Sequence, residues 1–132
     1  MRGDRGLSQM LEDHFAEWSE RTGIAVEVWA LPRREPSPRV VANVYATVRE
    51  ALDNVALHSR ARTVSVALTV GPSGLRLTVS DDGHGFPSWT TGRGLVAMRA
   101  YFAEIGGRLT VNSVPGGGTT VSGFIPAEAL TS

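Results

Sequence analysis

Apolar side chains return along this chain in two periods, and the switches between them lay out its elements. Over residues 7–21, Leu7, Met10, Leu11, Phe15 and Trp18 recur at three- and four-residue steps, the spacing of one face of an amphipathic helix. Thr22-Gly23 closes it, glycine being a common helix stop. Ile24, Val26 and Val28 then alternate with Ala25 and Glu27, which predicts a strand ending near Leu31. Residues 31–38 hold three prolines beside Arg33, Arg34 and Glu35, so a solvated loop is expected there. The longest periodic stretch is 38–59. Val41, Val44, Val48, Leu52 and Val55 form one stripe, and Asn43, Thr47, Glu50 and Asn54 lie on the opposite side. Two strands follow at 63–70 and 74–80, joined by the turn Gly71-Pro72-Ser73-Gly74. Helical spacing returns over 94–105 (Leu95, Met98, Tyr101, Phe102, Ile105), and Gly106-Gly107 stops it. Strands at 109–113 and 119–125 around Pro115-Gly116-Gly117-Gly118 complete the pattern, and the tail 127–132 is expected to fray.

The resulting order is helix, strand, helix, strand, strand, helix, strand, strand. It predicts an α+β two-layer sandwich, a mostly antiparallel mixed sheet with helices on one face. Short hairpin connections argue against a doubly wound parallel sheet, which needs helical crossovers. At 132 residues the chain is expected to be a single domain over 1–132, long enough for a real core. Its 13 basic and 13 acidic residues cancel, so no whole-chain field draws it to nucleic acid or to an anionic membrane. With no cysteine there is neither a disulfide framework nor thiolate chemistry. His14, His58 and His84 lack the spacing of a zinc site. No apolar run approaches the ~20 residues of a membrane span, and Met1-Arg2-Gly3-Asp4-Arg5 does not open a secretory signal. A cytoplasmic, soluble domain is expected.

Four segments carry candidate chemistry. Glu50 and Asn54, four residues apart, project from one helical face one turn apart. A carboxylate beside a side-chain carbonyl suits a hard cation such as magnesium, which takes one or two protein oxygens and completes its shell with water and phosphate. The same pair is also common on a solvent-facing helix side. Ser80-Asp81-Asp82-Gly83-His84-Gly85-Phe86 follows the alternating Leu75, Leu77 and Val79. It places the Asp81 carboxylate at a strand end, beside glycines that let backbone approach a flat ligand. Such a carboxylate can accept from an exocyclic amine such as adenine's, or can cap its own turn. Asp82 is expected to face solvent, and His84 to be an incidental loop residue. Gly92-Arg93-Gly94-Leu95 opens a helix whose first amides favour phosphate. Gly116-Gly117-Gly118-Thr119 leads a strand, and Thr119 offers a hydroxyl to a polar network around Asp81.

In this order and spacing the segments resemble the ATP-binding domain of the gyrase, heat-shock chaperone, histidine kinase and mismatch-repair superfamily. Residues 49–58, Arg-Glu-Ala-Leu-Asp-Asn-Val-Ala-Leu-His, are similar to its N box. Residues 81–86 resemble its first glycine box and 92–95 its second. Glu-Ala-Leu-x-Asn-Val, Gly-Leu-x-x-Met-Arg at 94–99, and Pro-Gly-Gly-Gly-Thr at 115–119 are most similar to sensor histidine kinases of the NarL type. The resemblance covers residues 7–126 and implies a Bergerat-type fold binding ATP with magnesium. It makes Asn54 the metal ligand with Glu50 beside it as a catalytic residue. Asp81 would take the adenine amine, Gly83, Gly85, Gly92, Gly94, Leu95 and Thr119 would contact the nucleotide, and the residues between Phe86 and Gly92 would form a lid. Two features depart from the family. Leu57 stands where such kinases often carry Lys or Arg before the N-box His, so the phosphate charge would come from Arg60, Arg62 or Arg93, or be missing. The dimerisation helices with the phosphoacceptor histidine are absent, and His14, followed by Phe15-Ala16, reads as a surface helix residue. The implied function is transfer of the ATP γ-phosphoryl group to a histidine on a separate dimerisation domain, with a response regulator as indirect partner. A stand-alone ATPase, an anti-sigma-type serine kinase, or a nucleotide-dependent interaction module are the alternatives.

Overall fold

In the computed structural model, which describes residues 6–83, 93–114 and 116–131, helix α1 (Leu7–Thr22) leads into strand β1 (Ala25–Ala30). Helix α2 (Pro38–Asn54) runs on into a wide π turn (Val55–Ser59), and strands β2 (Thr63–Gly71) and β3 (Gly74–Asp81) follow. Helix α3 (Arg93–Glu104) precedes strands β4 (Arg108–Val114) and β5 (Gly118–Pro126). The sheet has five strands in the order β1-β2-β3-β5-β4. β1 and β2, linked across α2, pair in parallel. The other neighbours are antiparallel, as direct hairpins allow. This is the α+β sandwich with helices on one face that the hydrophobic pattern predicts.

Strand alternation sets the two layers. Val64, Val66 and Leu68, Leu75, Leu77 and Val79, and Val121 and Ile125 point to one face and are buried. Leu11, Phe15 and Trp18 of α1, Val44, Val48 and Leu52 of α2, and Met98 and Phe102 of α3 cover them in a single core. On the open face, in register across three strands, the Arg76 and Arg108 guanidiniums lie 4.8 and 5.4 Å from the Phe124 ring centre.

Several local features differ from the pattern-based reading. The proline loop is not merely solvated: Glu35 accepts from the Leu7 amide through both oxygens at 2.9 and 3.0 Å, capping α1, and Pro36 is buried. Over its described residues, 127–131, the tail does not fray. Ala127–Ala129 form a 3-10 turn, Leu130 is buried, and its carbonyl accepts from the Ser37 amide at 2.9 Å. The polar stripe of α2 does not face water along its length. Asn43 Nδ2 donates to the Tyr101 carbonyl of α3 at 2.8 Å, and Thr47 is fully buried, its hydroxyl donating to the Asn43 carbonyl. That side of α2 is the seam with α3. His14 is half-buried rather than superficial, edge-on to the Tyr45 ring with centroids 5.8 Å apart.

α3 reaches the sheet because β5 carries glycine where the Phe102 ring lands. A methyl group at Gly123 would stand 2.7 Å from Phe102 Cζ and overlap Cε2. Gly123→Ala therefore overpacks the α3–sheet contact and should cost about 1–3 kcal/mol of unfolding free energy in urea titrations. A loss below about 0.5 kcal/mol would show that this contact does not set the spacing.

Candidate functional site

Asp81 ends β3 on the core-facing side, two residues after buried Val79, and is 8% exposed. The chain turns at once so that the Gly83 amide donates to Asp81 Oδ1 at 2.8 Å. Across the ladder Asp81 pairs with Thr119. Burial pushes the Asp81 carboxyl above its ordinary value, amides of Gly83 and Thr119 pull it partly back, and the Asp82 charge adds to the rise. Gly118 adopts φ +89°, and a side chain there would overlap the Asp81 carbonyl oxygen. Glycine is thus required by both backbone and space. The Thr119 hydroxyl lies 3.0 Å from the Ser113 hydroxyl, so the Thr119 link to Asp81 runs through its backbone.

Asp82 behaves oppositely. Its side chain is at the surface, as expected, yet Oδ1 accepts from the Arg62 amide at 2.9 Å and the Thr63 amide at 3.1 Å. Those bonds, Thr63's first, hold its carboxyl below the ordinary value. Adjacent carboxylates are thus pushed apart by their surroundings.

Asn54 is the last residue of α2, and the backbone widens into the π turn immediately after it, a distortion often found at functional sites. Gly94, at the start of α3, packs against its amide: a Cβ on Gly94 would meet Asn54 Nδ2 and Oδ1, each at 2.8 Å. Asn54, Asp81, Leu95 and Thr119 line one small cavity, closed by the apolar side chains of Ala51, Val55, Val79 and Val121. Its volume is about 10 Å³, room for roughly one water. Glu50 is half-buried one turn before Asn54 and is not among the lining residues. Gly83 and Gly94 border the cavity through Asp81 and Asn54. Gly85, Gly92, His84 and the lid between Phe86 and Gly92 lie outside the described residues. None of the four apolar wall residues was named as a site residue from the sequence. Val79 was legible as the same-face neighbour of Asp81, whereas Val121 enters only through the β3–β5 register.

The chain thus brings the end of α2 and the carboxylate-ended strand β3 to one small cavity beside the start of α3. Over residues 40–129 it matches the model of the histidine kinase-, DNA gyrase B- and HSP90-like ATPases, and the chain belongs to that family. It is 35% identical over 125 residues to the sensor histidine kinase LiaS of Bacillus subtilis, covering 92% of this chain and 34% of that protein. It is 31% identical over 131 residues to the nitrate/nitrite sensor protein NarX of Escherichia coli, covering 96% and 22%. The histidine kinase domain of the blue-light activated histidine kinase from Erythrobacter litoralis EL346 superposes with a TM-score of 0.78 at 25% identity, covering 93% of this chain and 62% of that one. The chain spans about a third or less of the length of these two sensor proteins. Among the described residues no helix is long and apolar enough to cross a membrane.

The raised Asp81 value fixes a sign. The folded state holds this proton more tightly than the unfolded chain, so the group favours folding in acid, and that contribution is lost as pH rises from about 3.8 through the folded value. Asp81→Asn cannot ionise. In denaturant titrations without nucleotide, the variant's stability relative to the parent should rise over that window and level off above it. A difference that is flat or falls with pH would contradict the burial assigned to this carboxylate.

Proposed function

We propose that this domain binds ATP with magnesium and passes the γ-phosphoryl group to a histidine on a separate dimerisation domain, in two-component signalling. The observation that carries this reading is the meeting of Asn54 and Asp81 at one apolar cavity, with Gly94 packed on the Asn54 amide. Asp81 accepts a hydrogen bond from the adenine exocyclic amine, a donor that compensates its desolvation. Val55, Val79, Leu95 and Val121 cover the faces of the base. The present space of about 10 Å³ is far smaller than a base, so entry widens it, and Leu95, which lines it, sits on the first turn of α3.

Asn54 and Glu50 offer a neutral and an anionic oxygen from one helix face, hard donors that fit magnesium. Among the described residues no group of three or more His, Cys, Asp or Glu side chains is placed to hold a metal, so these donors would rely on phosphate oxygens to complete the shell. Magnesium, when bound, neutralises phosphate charge. The first amides of α3 and the Asn54 amide then orient the phosphates, and catalysis is chiefly positioning and charge balance. Arg60, with φ +54°, and Arg62 are exposed just beyond the π turn and stand in for the cation missing at Leu57. Leu57 and Val96 are 74% and 64% exposed. One lies three residues past Asn54 and the other two past Gly94, and each offers exposed apolar surface to the acceptor-bearing helices. His14, half-buried against Tyr45, has its imidazole pushed below the ordinary value by burial and then by Arg49, and is not the acceptor. The setting is cytoplasmic, and a response regulator takes the phosphoryl group onward.

Asn54→Ala should keep the fold, because Asn54 ends α2 outside the hydrophobic core, and should lose the magnesium dependence of ATP affinity. Calorimetric titrations with and without magnesium check this, and equal magnesium enhancement in both proteins would refute the ligand assignment.

With γ-labelled ATP the domain alone should neither label itself nor release phosphate appreciably. Adding the dimerisation-helix fragment of the matching kinase should yield acid-labile, base-stable label on that fragment. Transfer should be slow and concentration-dependent without the covalent link. Rapid phosphate release without the fragment, abolished by Glu50→Ala, would instead establish Glu50 as the base of a stand-alone ATPase. Acid-stable label on an added protein's serine would mark a serine kinase.

A further inference from the structure

The first glycine box carries two carboxylates, and the nucleotide reading employs only Asp81. Asp82 lies opposite the start of β2. Its Oδ1 accepts from the Arg62 and Thr63 amides at 2.9 and 3.1 Å, and its own amide donates to the Thr63 carbonyl at 3.3 Å. Thr63 opens β2, and Arg62 lies two residues past Arg60, the left-handed residue that ends the π turn after Asn54. The Arg62 carbonyl accepts from the Ala25 amide of β1 at 3.0 Å, so this short segment is bonded on both sides.

We infer that Asp82 is a positioning residue for the nucleotide site: its carboxylate clamps the exit of the Asn54-bearing helix to the strand end that presents Asp81. This rests on the ATP-binding reading above. The clamp acts through Asp81. Asp82 is the next residue, and with Oδ1 anchored across the ladder the backbone at 81–83 is set so that the Gly83 amide reaches the Asp81 carboxylate. Without it, the end of β3 loses two of its cross-strand bonds at the point where the chain leaves the sheet. The Asp81 carboxylate then samples orientations that miss the base. An exposed side chain bonded only to water would carry no such role; two charge-assisted bonds to backbone amides do. Their cost and gain are local, since Asp82, Arg62 and Thr63 are not members of the hydrophobic core.

The test compares parent, Asp82→Ala, Asp82→Asn, Asp81→Asn and the Asp81→Asn/Asp82→Ala double variant, with ADP affinity by calorimetry and amide exchange at Arg62 and Thr63 without nucleotide. The Arg62 and Thr63 amides should lose protection in Asp82→Ala and keep it in Asp82→Asn, which retains the acceptor oxygen. ADP affinity should fall about tenfold in Asp82→Ala and recover to within about threefold in Asp82→Asn. In the double variant the loss should equal that of Asp81→Asn alone, because a residue acting through Asp81 has nothing further to remove. Additive losses, or unchanged ADP affinity in an Asp82→Ala protein whose two amides exchange freely, would overturn the positioning role while leaving ATP binding intact. A parent that binds no ADP, with both amides protected, would overturn the nucleotide reading itself and the positioning role with it. Asp82→Asn is isosteric, so it tests the acceptor requirement even where Asp82→Ala does not fold.

Discussion

A carboxylate facing the apolar layer is the constraint from which the rest of the site follows. Asp81 continues the face of Leu75, Leu77 and Val79, where an aliphatic side chain would be the stable choice. A buried polar group without partners costs on the order of 2–7 kcal/mol, so the surroundings must supply donors. Two come from backbone. The chain reverses at Gly83 to bring its amide to Oδ1, and β5 enters through left-handed Gly118, close enough that only glycine clears the Asp81 carbonyl. Gly83 and Gly118, which belong to separate motifs in the sequence, thus both serve one buried carboxylate. A carboxylate has about four acceptor positions, more than these amides fill. The surplus faces a cavity, which is where a ligand donor is wanted.

The second determinant is the seam between α2 and α3. Asn43 bonds the α3 backbone at Tyr101, Thr47 is buried beside it, and Asn54 meets Gly94. At the sheet end of the same helix, Phe102 settles over Gly123. α3 is thereby held at one end by a ring on a glycine and along its length by side-chain amides. Its first turn carries backbone amides with no partner inside the helix, and the seam aims that turn at Asn54. These polar contacts are directional and add to the apolar packing of Met98 and Phe102 in the shared core.

Much of this was legible in the chain. Two-residue and three-to-four-residue periods revealed every strand and helix, because burial on one face leaves a local record. Of the residues singled out in the sequence, Asn54, Asp81, Leu95 and Thr119 line one cavity, Glu50 does not, and Gly85 and Gly92 lie outside the described residues. What was not legible depends on distant partners. Glu35 caps α1 from 28 residues away, Asn43 reaches Tyr101 across 58, and Asp82 finds Arg62 across 20. Nothing in a local pattern separates a polar residue that faces water from one that bonds another element. Thr47 was for this reason read as part of an outer face, and the tail as loose although Leu130 completes the core.

The two neighbouring aspartates show how such a site divides its work. Asp82 is exposed, bonded to amides and held more acidic, so its charge contributes to folding above about pH 3.8 and is lost as pH falls below that. Asp81 is buried and held less acidic, so its ionisation opposes folding. One carboxylate is bonded to two backbone amides at the surface, and the other is buried beside a small cavity. Exchanging their environments would remove both effects: a well-satisfied Asp81 would gain little from an incoming amine, and a buried Asp82 could not hold β2. The alternation of the strand enforces the division, because consecutive residues must point to opposite faces. An acidic pair at a core-strand end therefore has one member that strains the fold and one that can repair it.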